Sequence, residues 1–318
     1  MDDSDTDKPN LFTPSVSTVW FDDGNLILEA DDSRFRISKG IVAAKSAVFR
    51  EMMSLPQPCD QELVEGCPVV RLHDSAQDVG YFLKAIYDSS FFEPPPTPTH
   101  MDIVAGILRL STKYDVEYLR RRAIRHLDTL YPLTLSTFDK RQDTRTTPWK
   151  DNTAFFVSLL AREFDLLWLL PCVLYCVCSC PVRDIVGGFV WNADRMQMHT
   201  DDQAACLRAL LLLANAEQKD MLGFLTMTDV AGCESRECNA NRLATLRTLN
   251  EMRDILNPLD AFWEKWDVFG KSVCAPCLTE SKMVYEAARE AFWQSLPEMF
   301  DLPAWKTLEA MKQEALYM

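Results

Sequence analysis

Histidine is scarce in this 318-residue chain, with four residues at positions 73, 100, 126 and 199. None has a second His one helical turn away, which removes the paired-His metal signature, and there are too few for a Cys2His2 finger. Glycine is thin as well: ten residues, and Gly187-Gly188 lacks the following Lys-Ser/Thr of a phosphate-cradling loop. There is no Asn-x-Ser/Thr sequon, and the acidic opening MDDSDTDKPN carries no expected signal- or transit-peptide pattern. Only one long apolar run occurs, Leu166 to Val182. It falls short of the ~20 residues of a membrane span and holds Pro171, so it reads as buried core, with no membrane partner expected. Positive charge is also in deficit: 33 Lys and Arg stand against 47 Asp and Glu, a net charge of −14. Such a field repels a polyanion, which excludes nucleic-acid binding as the main task.

What the chain does have is an ordinary globular composition, 47% hydrophobic and 25% charged, with length for about two domains. Its eleven cysteines are odd in number and form no compact even framework, which suits a reducing compartment, cytoplasmic or nuclear. Residues 1–16 read as a disordered acidic tail. Val19-Trp20-Phe21, Asn25 to Ala30 and Phe35 to Ile37 read as strands separated by Asp-rich turns. After Gly40 the period becomes helical, with Ile41, Ala44, Val48, Phe49 and Met52 on one face and small residues crowding the join. A loop-like stretch follows from Ser54 to Pro68, then a strand at Val69 to Leu72 and an amphipathic helix at Asp78 to Tyr87. Helices are expected again at Met101 to Lys113 and Glu117 to Leu130. The polar stretch from Ser136 to Asn152 is the best linker, and nearly everything beyond it is helix-periodic. The expected division is an α+β domain at 17–132, a linker at 133–152 and an all-α domain at 153–318.

The element order closely resembles a BTB/POZ domain. Ile41-Val42-Ala43-Ala44, Ser46, Phe49 and Met52 fit that family's paired-helix pattern, and Leu108, Leu110, Lys113, Tyr114, Val116 and Leu119 fit its final one. FREMMSLPQP and STKYDVEYLRRRA look most like the large BTB group of mushroom-forming fungi, as do LLPCVLY and FWQSLPEMFDLPAW in the second domain. Ser38-Lys39 stands where many animal relatives have a His, so no role of that His carries over. The resemblance implies a homodimer and a non-enzymatic scaffold for protein partners, with a cullin ubiquitin-ligase adaptor or a transcription-related role among the family's known uses. No kelch-like repeat follows to support the adaptor, and no zinc finger to support the transcription factor.

The search for chemistry singles out cysteine. Cys233 and Cys238 are separated by four residues, Cys274 and Cys277 by two. Both spacings suit paired thiolates on one tetrahedral zinc ion, with Gly232, Gly270 and Pro276 helping the turns. Buried packing and a redox CxxC are the competing readings, the latter without a thioredoxin-like context. His73-Asp74-Ser75 reads as a strand-end turn rather than a triad, Cys172, Cys176 and Cys180 as core, and Arg120-Arg121-Arg122 with Arg125 as a solvated face. Phe262-Trp263, Trp266, Phe269, Phe292-Trp293, Phe300 and Trp305 are core or a ligand groove. The alternative to an interaction module is an enzyme whose site lies in the helical domain.

Overall fold

A computed structural model describes residues 15–55, 62–216, 221–251, 258–260, 262 and 265–317 and divides the chain into two units. Most of the expected acidic tail, part of the loop after Ser54, and Trp263 lie outside the described residues.

The first unit comprises the chain up to Thr129 together with Arg145–Pro148. Its sheet holds β1 (Ser15–Trp20), β2 (Leu26–Ala30), β3 (Ser33–Ile37), β4 (Leu63–Val64) and β5 (Cys67–Leu72), ordered β1-β3-β2-β5-β4. The β2–β3 hairpin is antiparallel, Leu28 facing Phe35, while β1 joins β3 and β5 joins β2 in parallel. In β3 the alternation is real, with buried Phe35 and Ile37 alternating with half-buried Arg34 and Arg36, whereas Leu26, Ile27 and Leu28 of β2 are buried in succession, so that strand is covered on both faces. β4 falls in the stretch that reads as loop. Its two-residue turn, Glu65-Gly66, has positive φ at both positions (50° and 76°), the geometry that matches the twist of a tight hairpin.

Two helices, α1 (Lys39–Lys45) and α2 (Ala47–Ser54), meet at Ser46. Ser46 is fully buried; its hydroxyl accepts from the Phe49 N–H at 3.1 Å, capping α2, and donates to the Tyr114 carbonyl. A larger residue would hold the two helices apart, and an apolar one would leave the cap unmade. The remaining helices are α3 (Ala76–Tyr87), α4 (Met101–Lys113) and α5 (Glu117–Leu130). Tyr114 stacks on Phe49 with ring centroids 4.5 Å apart and donates its hydroxyl to Asp74, which Lys113 reaches at 2.6 Å. Buried His126 bridges the Thr146 hydroxyl, at 2.6 Å, and the Glu93 carbonyl, at 2.9 Å.

The second unit comprises Leu130–Thr144 and the chain from Trp149 onward. Within the stretch that reads as a linker, α6 (Leu135–Asp139) and α7 (Arg141–Thr144) are helical. Thr134 caps α6, buried Phe138 packs against Tyr175 and Trp293, and Asp139 pairs with Arg289. The polar composition there serves caps and ion pairs. Then come α8 (Thr153–Glu163), a 3-10 turn at Leu167–Leu169, α9 (Leu170–Cys178), α10 (Val182–Gly187), α11 (Thr200–Ala216), α12 (Cys238–Glu251), α13 (Trp266–Gly270), α14 (Ala275–Met299) and α15 (Trp305–Tyr317). The all-helical expectation needs one correction: β6 (Phe189–Trp191) and β7 (Asp194–Met196) form a hairpin. Its rings settle on α8, Trp191 stacking on Phe156 at 4.3 Å and Phe189 on Phe155 at 5.1 Å. Gly188 before it has φ of +85°, and a Cβ there would meet the Met196 carbonyl oxygen at 2.5 Å, so only glycine fits.

The apolar run is core. Leu166, Trp168, Leu169, Leu170, Val173 and Leu174 are at most 1% exposed, and no described helix is long and apolar enough to cross a membrane. Along α14, Cys277, Ser281, Tyr285, Arg289, Phe292, Trp293 and Leu296 form one buried stripe at three- and four-residue spacing.

Candidate functional site

The two cysteine pairs converge. The Sγ atoms of Cys233, Cys238, Cys274 and Cys277 all lie within 4.8 Å of one another. A tetrahedral zinc with bonds of ~2.3 Å needs sulfurs roughly 3.8 Å apart, and Cys274 and Cys233 are already at 4.0 Å. Each pair is held by local backbone. Gly232 turns the chain with φ of +73°, and Cys233 N–H closes that turn on the Val230 carbonyl at 3.1 Å. Cys238 opens α12; Cys274 is the N-cap of α14, and Cys277 sits in its first turn behind Pro276. Two backbone amides point at sulfur: Glu234 N–H at Cys274 (3.4 Å) and Cys274 N–H at Cys238 (3.3 Å). Cys238 and Cys277 form the buried wall, Cys233 and Cys274 the solvent side.

The electrostatics divide the same way. The Glu234 backbone N–H, then that of Cys277, lowers the Cys274 thiol to about 6. Burial first, then hydrogen bonds with the Cys233 and Cys274 thiols, push Cys277 up to about 12, against an opposing pull from Arg242. One sulfur is therefore anionic near neutral pH, and a divalent cation would displace the remaining protons. Four thiols, two helix N-termini and two N–H···S contacts are a donor set that fits a structural zinc and leaves no coordination position open.

Among the described residues this is the one grouping of three or more Cys, His or carboxylate side chains close enough to share an ion. Cys172, Cys176 and Cys180 lie along and just past α9, and burial pushes the Cys172 and Cys180 thiols up, as packing residues require. Phe262, Trp266 and Phe269 pack around Phe224 and Tyr285 as core, whereas Trp293 and Trp305 stack at 5.3 Å beside an open hollow of about 380 Å³. Arg242 was invisible in the sequence, where it looks like any helix-surface arginine.

Among its described residues the first unit holds no such cluster. Asp74 anchors Lys113 and Tyr114, Ser75 caps α3 by accepting from Asp78 N–H at 3.1 Å, and His73 is exposed, so the three are a strand-end turn. Arg120 and Arg121 pair with Glu117, and Arg122 donates to the Phe92 carbonyl at 2.9 Å. What this unit offers is surface: β1 and β4 are sheet edges, each paired on one side only among the described strands. Residues 23–130 match the family model for the BTB/POZ domain. The chain carries a BTB/POZ domain. Family members mediate protein–protein contacts and often dimerise, and they are generally not enzymes. The match ends where the helical unit begins, and no curated protein and no solved structure matches the chain.

Proposed function

We propose that the chain is a non-enzymatic interaction module: the BTB/POZ domain pairs with a second copy, and the helical unit, pinned by one zinc ion at Cys233, Cys238, Cys274 and Cys277, binds a protein partner. The observation that carries this reading is the BTB/POZ match over residues 23–130. The one-sided edge of β1, with Phe21 37% exposed just beyond it, supplies a surface another chain can extend. Zinc in such a site does no chemistry on a substrate; it cross-links the turn at Gly232 and the starts of α12 and α14.

Light scattering at micromolar concentration should report a dimer, and deleting residues 1–21 should weaken it; a monomer at every concentration removes the pairing. Affinity purification with mass spectrometry distinguishes the finer roles, a cullin among the prey supporting a ubiquitin-ligase adaptor and transcriptional proteins a scaffold there. A second reading, thiol–disulfide exchange, is favoured by Cys274 alone: an N-cap thiol lowered to about 6 and three positions before Cys277. Metal analysis of reduced protein separates the two, since about one zinc per chain excludes a free redox pair.

A further inference from the structure

Arg242 stands one helical turn beyond Cys238 on α12, so the two share a face. Helix side chains lean toward the N-terminus, which brings the guanidinium back over the cysteine turn. It is 0% exposed. Nη2 donates to the Met227 carbonyl at 3.0 Å and to Asn239 Oδ1, which fix its orientation. Nε and Nη1, bearing three of a guanidinium's five N–H donors, have no hydrogen-bond partner among the described residues. No carboxylate pairs with it among those residues either. Arg289, the other fully buried guanidinium of this unit, is spent on Asp139, Glu286 and the Leu259 carbonyl. An arginine cannot shed its proton, so a buried one needs an anion. One turn earlier on the same face is Cys238, whose Sγ lies within 4.8 Å of the Cys277 Sγ, and these two are the buried sulfurs of the cluster.

Resting on the zinc reading above, we infer that Arg242 is a positioning residue of the metal site: its free Nε–H and Nη1–H groups donate to the Cys277 thiolate once the metal has displaced the thiol protons. Four thiolates around a divalent cation leave two negative charges, and Arg242 offsets one of them on the wall that water does not reach. The displaced protons go to solvent through the open side at Cys233 and Cys274. The solvent side needs no such cation, because the Glu234 amide serves Cys274, and Cys233 is exposed.

The test uses the full chain, zinc alone as probe, and a competing chelator across a pH series. Wild-type protein should bind about one zinc; Arg242→Gln should bind it roughly 10–100-fold more weakly, with the pH of half-release moved upward, and Arg242→Lys should recover part of both. A purely structural role would lower thermal stability with and without metal alike and leave the half-release pH unmoved, which overturns the inference while the zinc reading stands. Absence of metal binding by the wild type overturns both. Should Arg242→Gln fail to fold, the wild type itself decides. On cadmium loading, the Arg242 Nε–H resonance should shift and exchange more slowly with solvent; an unchanged resonance sinks the proposal.

Discussion

On the proposed zinc site, the cysteines divide into metal ligands and packing residues, and single substitutions separate the two. Cys277→Ser should reduce bound zinc from about one per chain to near none and lower the melting temperature, because three thiolates and a hydroxyl do not hold the ion. The drop should fall short of the ~10–16 kcal/mol apparent in small zinc modules, since this unit has its own core. Cys172→Ser, in the α9 core, should leave the zinc content untouched while costing stability. His126 sets a different dependence. Burial holds its pKa below the usual value, opposed by the bond to the Glu93 carbonyl. The folded domain therefore keeps it neutral while the unfolded chain takes up a proton near pH ~6.5. Its contribution is fully present above that pH and declines as the pH falls toward the folded pKa. Thermal melts of the BTB/POZ domain from pH 7.5 to 5 should show the decline, and His126→Gln should flatten it.

Elements were legible where pattern and burial coincide. β3, β5, α3 and α5 follow the alternation and helical periodicity of their residues, each with a wetter and a drier face, whereas β2 and α4 are buried on more than one side and show as apolar runs. The hairpin β6–β7 was not legible: three-residue strands are too short to show a period, and Asn192-Ala193 spells no usual turn although both have positive φ. α6 was missed for another reason, since Thr134 and Asp139 are polar for caps and pairing rather than for solvent. The four cysteines could be named from spacing, but their convergence could not be separated from packing, and Arg242 left no trace because sequence does not report burial. Ser46 tests the element the pattern did reveal. Ser46→Ala removes the cap on α2 and the bond to Tyr114, and should cost about 1–3 kcal/mol in urea denaturation.

For the molecule as a whole, the segment Arg145–Pro148 belongs with the BTB/POZ unit although it follows α6 and α7 in the chain. Thr99 N–H donates to the Thr146 carbonyl at 2.8 Å, and Thr146 holds His126. A fragment of residues 15–130 should therefore melt below one of residues 15–148, as differential scanning calorimetry would show. Equal melting temperatures would mean that Thr146 contributes nothing. In the full chain, limited proteolysis should cut first near Trp149 to Asp151, which are exposed, and only later within α6, whose Phe138 is buried.

α14 runs for 25 residues, roughly 37 Å, from the cysteine cluster to the tryptophan pair. In the proposed zinc site a removable ion would fasten one end; the other is held by Trp293 stacked on Trp305, whose indole N–H returns to the Trp293 carbonyl at 2.8 Å. Such a rod loosens from one end only. Chelation should speed amide exchange over Ala275 to Leu278 and leave the turns from Tyr285 to Leu296 as slow as before, so a cell short of zinc would hold a protein frayed at a single address while its fold persists.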